Sequence, residues 1–291
     1  MIFGTSVHAL TDWSAQVKPF RTVLAEAAEL GFGSIMLMHL PGQAALTATS
    51  DPQGAMIDLE TSDLSLVRQV VHDAGLEVSC LYQGLTKVAT DKECEETVAG
   101  MLRLADMAGE LGTDILLPNA GVAPAPQMPS EAKGDLIGRL AKVFTRVLEG
   151  TPPTIRIAPD IHYQGILETV ADCRRLFELV PDTRAGITLN IGHMTTLREE
   201  GWTLLQDHPE RVHVVAWKDH LLAPPEDHPH AVYSVELGTG DSPFDKYARL
   251  IAEDGGHHAH LITFEHVPLA EKAPALGRSL QYMRELWAAT H

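Results

Sequence analysis

Two carboxylates, a lysine and a set of histidines are the residues of this chain that could do chemistry together. Asp160 stands in "APDIHYQG" (158–165), Asn190 and His193 in "LNIGH" (189–193), Lys218 and Asp219 in "AWKD" (216–219), and Glu265 in "TFEH" (263–266). Each follows a short apolar or β-branched run, so each is expected where a buried strand ends. Carboxylates on opposite sides of a pocket suit paired acid/base work, metal binding, or both. An ammonium and imidazoles beside them would polarise substrate oxygens or stabilise an oxyanion. That combination suits proton abstraction next to a carbonyl, the first step shared by isomerisation, epimerisation and dehydration. The structural alternative is that each carboxylate only pairs with a neighbour such as Arg156.

The elements that must position these residues form a repeated alternation. Eight short runs occur at 2–8, 33–39, 77–82, 114–120, 154–160, 186–191, 212–218 and 260–265. Between them lie segments with helical spacing, such as "VLAEAAELG" (23–31), "LSLVRQVVHDAG" (64–75) and "TVAGMLRLADMAGELG" (97–112). In the last, Val98, Leu102, Ala105 and Ala108 share one stripe. Gly31, Gly75 and Gly112 read as helix stops. Strand alternating with helix implies parallel strands and right-handed crossovers. Eight repeats predict a (β/α)₈ barrel, with residues 1–291 as a single domain. An open doubly wound sheet would want a glycine-rich first turn, and "GTGD" (238–241) is far from the first turn. The loops at 40–60 and 220–241 are long enough to be lids or subunit contacts.

Barrel active sites lie at the C-terminal strand ends. Those ends carry His8, His39, Tyr82, Asn119, Asp160 with His162, Asn190 with His193, Lys218 with Asp219, and Glu265 with His266. Polar side chains at all eight exits argue for a binding mouth. Strand alternation groups Ala158, Asp160 and His162 on one face, Thr188 with Asn190, and Val214, Ala216 and Lys218. Trp217 and Asp219 then face the other way, and so does His213. Asp160, Glu265, His193 and Lys218 are the catalytic candidates. Substrate contacts are expected from His8, His39, Tyr82, Asn119, His162, Asn190, Trp217 and Asp219, with an indole able to stack on a sugar ring.

Bulk properties narrow the classes. Of 291 residues, 45% are hydrophobic, as a globular core requires. The formal net charge is −17, with no Lys/Arg cluster, which argues against a nucleic-acid partner. No apolar run reaches the roughly 20 residues that cross a bilayer, and "MIFGTSVHAL" lacks a signal peptide's basic start. Three scattered cysteines, Cys80, Cys94 and Cys173, point to a reducing, cytoplasmic protein without disulfides. No nucleotide cofactor is expected. The partners expected are a small-molecule substrate and, as for many barrels, a second copy in a homodimer.

Five motifs in order resemble the xylose isomerase-like barrels, which include sugar isomerases, ketose 3-epimerases and endonuclease IV. "APDIHYQG", "LNIGH" and "AWKD" are similar to that family's motifs on strands five, six and seven. "LGTGDSPFDKYARLI" (237–251) is similar to the following helix start, and "TFEH" to the strand-eight glutamate. The resemblance implies a sugar isomerase- or epimerase-like enzyme acting on a small polyhydroxylated or hydroxy-keto substrate. It also implies a divalent metal, Mn²⁺, Mg²⁺ or Zn²⁺, held at Asp160, Asn190, Ala216 and Glu265. Here the departures are large. Asp160 is a methylene shorter than the usual glutamate, Asn190 brings no charge, and Ala216 brings no donor atom. Two answers stay open. Either His162 or His193 substitutes as a ligand, or the metal is lost and Lys218 with the histidines supplies the positive charge. A lyase or aldolase using a Schiff base on Lys218, and a barrel that binds a sugar-like ligand without turnover, are the other readings. Endonuclease activity is disfavoured by Tyr82 and Asn119, which stand where that activity needs histidines.

Overall fold

A computed structural model describes residues 1–11, 18–84, 86–121, 130–223, 225–226, 231–255, 258–264, 267 and 269–290. Among the described residues eight strands form the main sheet: β1 (Phe3–Ser6), β2 (Ser34–His39), β3 (Glu77–Gln83), β4 (Ile115–Pro118), β5 (Arg156–Ile157), β6 (Ile187–Asn190), β7 (Val212–Trp217) and β8 (Ala259–Ile262). They pair side by side in the order β5-β4-β3-β2-β1-β8-β7-β6, every pair parallel. The ends of that order are joined by isolated parallel bridges, Ile157 to Ala185 and Asp160 to Thr188. The sheet is therefore a nearly closed barrel, and all eight expected strands are in it.

The helices among the described residues are α1 (Phe20–Leu30), α2 (Leu64–Asp73), α3 (Asp91–Leu111), α4 (Ser130–Glu149), α5 (Val170–Leu179), α6 (Ile191–Leu197), α7 (Trp202–Asp207), α8 (Phe244–Asp254) and α9 (Leu269–Thr290). Local chemistry sets several of their starts. The Thr90 hydroxyl accepts from the Glu93 amide while the Glu93 carboxylate accepts from the Thr90 amide, closing a capping box on α3. Thr169 and Asp172 do the same for α5. At the other end, Gly31 and Gly112 adopt left-handed caps, as the sequence predicts. The strands supply a buried apolar layer against which each helix packs one face. No helix among the described residues is long and apolar enough to cross a membrane. All three cysteines are free.

The two long loops differ in how they are held. The first is packed down: Leu46, Ala55, Met56, Ile57 and Leu59 are all buried. His39 anchors it, with its Nδ1 accepting the Leu59 amide at 3.2 Å and its backbone bridged to Ile57. Burial holds the His39 imidazole below its ordinary pKa, opposed by Asp58 and Glu60 nearby. In the second loop, Asp219–His220 forms an antiparallel pair with Ser234–Val235.

Histidines are also buried on the strands themselves. His213 on β7 donates from Nε2 to the Arg184 carbonyl at 3.2 Å, and His260 on β8 accepts at Nδ1 from the Trp217 indole at 3.2 Å. Burial, with Arg156 adding repulsion, pushes the His213 pKa down to about 4. Burial, with His258 nearby, pushes that of His260 down to about 3. Both values lie below the roughly 6.5 of an unfolded chain. Between those limits the unfolded state binds protons that the fold refuses. Stability is thus complete above about pH 6.5 and falls as the pH is lowered toward 4, by an amount on the order of a few kcal/mol. Thermal melts of the protein and of His213→Gln across pH 4–8 check this. The variant should show the shallower acid limb, and equal limbs would remove His213 from the account.

Candidate active site

A cavity of about 330 Å³ opens at the C-terminal ends of the strands. Its apolar floor is Met36 and Met38 of β2, Leu117 of β4, Leu261 of β8 and Phe264. Its polar wall takes in Asn119, Asp160, His162, Asn190 and Lys218, with His8 and Tyr82 at neighbouring strand exits. A larger, open cleft of about 610 Å³ lies at the opposite end, where the strands begin. There Arg156 and Asp114 pair at 2.8 Å, and barrel enzymes work from the other end, where the strands finish. Arg156 is thereby committed away from Asp160.

Alternation on β6 and β7 places the wall residues. Thr188, Asn190, Ala216 and Lys218 all face the cavity. Lys218 is buried, with 6% of its surface exposed. The Asn190 amide nitrogen donates to Asp160 Oδ1 at 2.9 Å, and the Asn190 carbonyl oxygen accepts from the His193 amide at 3.5 Å as the N-cap of α6. Both ends of the carboxamide are thus spoken for, which fixes its orientation and that of the Asp160 carboxylate. Thr188 ties the same corner by donating to the Ala158 carbonyl at 2.8 Å.

Behind this corner is a stack of imidazoles. The rings of His162 and His193 lie 3.8 Å apart between centroids, and His193 meets His220 edge-on at 5.2 Å. His162 donates from Nδ1 to the Tyr163 carbonyl at 2.8 Å, while the Tyr163 amide donates to His193 Nδ1 at 3.4 Å. His193 is fully buried and does not line the cavity; His162 does.

Several expected contacts are located elsewhere. Trp217 is fully buried on the outer side of β7, against Phe244 of α8 and hydrogen-bonded to His260, so its indole is not at the mouth. Asp219 is turned into the loop before α8. Its Oδ2 accepts from the Gly238 and Gly240 amides at 2.9 and 2.8 Å, and its Oδ1 from the Ser242 amide at 3.0 Å. A Cβ at Gly240 would collide with that carboxylate, which is why glycine stands there. Burial raises the Asp219 pKa, and the three amides oppose the rise. His39 is the loop anchor described above and does not line the cavity. Glu265 and His266 lie outside the described residues.

The cavity also contains a residue that strand-end reading passed over. Lys272, the fourth residue of α9, lines it. Its ammonium donates to the Thr11 carbonyl at 2.7 Å and to the His8 carbonyl at 3.4 Å. A lysine so near a helix N-terminus opposes the helix dipole, and that was the available signal.

The match to the xylose isomerase-like TIM barrel family model runs over residues 24–286. The chain belongs to that family. No curated protein matches it by sequence. Among solved structures it is similar to the IolI protein with a bound zinc atom, at 12% identity and a TM-score of 0.75 over 100% of this chain and 99% of that one. It is similar to L-ribulose 3-epimerase, at 15% identity and a TM-score of 0.72 over 100% and 96%. It is also similar to the probable 3-DHS dehydratase AsbF from Bacillus anthracis, at 14% identity and a TM-score of 0.71 over 98% of each chain. At these identities the likeness is one of fold.

Two of the positions at which such a family implies a divalent ion, Asn190 and Ala216, do not fit it. Asn190 presents an NH₂ group to Asp160 and spends its oxygen on a helix cap. Ala216 has no donor atom, and the Lys218 ammonium lines the same cavity two residues on. Of the two histidines expected as substitute ligands, His193 is buried outside the cavity lining with its Nδ1 accepting a hydrogen bond, whereas His162 lines the cavity with Asp160. Among the described residues no group of three His, Cys, Asp or Glu side chains could hold a metal. Imidazole and charged donors are what Zn²⁺ and Mn²⁺ favour. Asn190→Asp with Ala216→His restores two such donors beside Asp160. The double variant should melt higher with added Mn²⁺, by mass action, and the parent should not shift. Calorimetric titration checks both, and tight Mn²⁺ binding by the parent would overturn the misfit.

Proposed function

We propose that the protein is an isomerase- or epimerase-like enzyme that abstracts a proton next to the carbonyl of a small hydroxy-keto or polyhydroxylated substrate, without a bound divalent metal. The observation that carries this reading is the Asp160–Asn190 pair in the wall of a small-molecule cavity that Lys218 also lines. The cavity volume lies at the lower end of the range for small-ligand sites. Its place at the C-terminal strand ends is where barrel enzymes work. The fold likeness to an epimerase and a dehydratase agrees with this class.

In this reading the Asp160 carboxylate, oriented by Asn190, takes the proton. The Lys218 ammonium stabilises the enediolate oxygen that develops, the part a metal plays elsewhere. Asn119, Tyr82, His8 and His162 hydrogen-bond the hydroxyls. In epimerisation Glu265, protonated at the start, gives its own proton to the opposite face, and Asp160 passes the abstracted proton to water; in isomerisation Asp160 returns its proton to the neighbouring carbon while Glu265 relays the hydroxyl proton between the two oxygens. The three free cysteines support a reducing, cytoplasmic setting.

Hydrogen exchange tests the shared step without knowledge of the final product. Ketoses and hydroxy-keto acids are incubated with enzyme in D₂O and followed by NMR. One class should exchange the hydrogen next to its carbonyl. Asp160→Asn should slow that exchange on the order of 100-fold or more, with little change in melting temperature, and Glu265→Gln should do likewise. Full exchange by Asp160→Asn would remove the base. Ligand-induced stabilisation with no exchange would favour a binding barrel, and borohydride trapping of substrate on Lys218 would favour Schiff-base chemistry.

A further inference from the structure

We infer that the substrate ends, away from its carbonyl, in a methyl group where a full sugar would carry a hydroxymethyl, and that Met38 selects it; the inference rests on the cavity above being the active site of the proposed reaction. It comes from the composition of one layer of the barrel. In a (β/α)₈ barrel the strand tilt raises the level by about one residue per strand, and alternate strands fill alternate layers. With the pairings of neighbouring strands, this sets Met38 of β2, Asn119 after β4, Asn190 of β6 and Thr263 after β8 in one layer. All four line the cavity. The next layer down from the same strands is Met36, Leu117, Thr188 and Leu261, which line it too.

The lower layer needs no ligand to explain it. Apolar side chains fill the inside of any such barrel, and Met36, Leu117 and Leu261 close that core. The upper layer differs. Asn119, Asn190 and Thr263 are polar, so at that level the core has given way to a site. Met38 is the one member of the layer without a strong hydrogen-bonding group. In the closed order of strands β2 and β6 stand on opposite sides. Met38 thus lies across the cavity from Asn190, as Met36 lies across from Thr188. The Asn190–Asp160 hydrogen bond marks the reacting side, so the far end of a short substrate comes against Met38. The strands on either side of β2 bring in His8 and Tyr82 at the layers above and below, where they meet hydroxyls rather than the chain end. A hydroxyl pressed against a thioether gives up its water and gains no partner. A methyl there gains by leaving water, and the unbranched methionine side chain adapts to its shape.

The test pairs ketohexoses of both enantiomeric series with their 6-deoxy counterparts. Binding is measured by calorimetry on the intact protein, on Met38→Gln and on Met38→Leu. At least one 6-deoxy ketose should bind about tenfold to a hundredfold more tightly than its hydroxylated partner, the range over which an apolar pocket tells a methyl from a hydroxyl. Met38→Gln should lose or reverse that preference, and Met38→Leu should keep it. The inference is overturned if no 6-deoxy ketose binds better than its partner, or if Met38→Gln retains the full preference. If Met38→Gln does not fold, Met38→Ala decides: the space it opens should improve binding of the homologue one methylene longer, and no improvement overturns the role of Met38. The two readings fail separately. A 6-deoxy preference in binding without hydrogen exchange in D₂O would sink the proton-abstraction chemistry alone. Exchange in ketohexoses with no such preference would sink this inference alone.

Discussion

Closure of the barrel between β5 and β6 is the constraint on which the site depends. A parallel sheet with two open edges would expose two rows of unpaired backbone groups. Strand β5 is short, because Pro159 has no amide to donate. The gap is closed instead by single links: Ile157 and Gly186 donate to the Arg184 and Ile157 carbonyls, Thr188 to that of Pro159, and Ile161 to that of Thr188. The Asn190–Asp160 hydrogen bond crosses the same seam one step higher. The residues that finish the barrel are therefore also those that orient the carboxylate. This gives the proposed base a fixed geometry without a metal to hold it. It also means that disturbing the corner should affect closure and chemistry together.

The same corner explains why Ala216 and Lys218 belong together. Both face the cavity from β7, one residue apart on the inward side. Ala216 has no donor atom and Asn190 no charge, so these two positions offer a cation little. The positive charge then comes from a side chain that the fold already buries.

Alternation along strands made much of this legible from sequence. The inward sets on β6 and β7 are as expected, and so is the outward direction of Trp217. What misled was treating every polar strand exit as a substrate contact. A buried polar group at a strand end can equally serve the loop that follows. His39 does so by accepting the Leu59 amide, and Asp219 by collecting three amides ahead of α8. Periodicity cannot separate those uses, because the partner amides lie 19 to 23 residues away in sequence. Lys272 was invisible for a related reason. It arrives from a helix, and only the packing of α9 against the turn after β1 turns it toward the mouth.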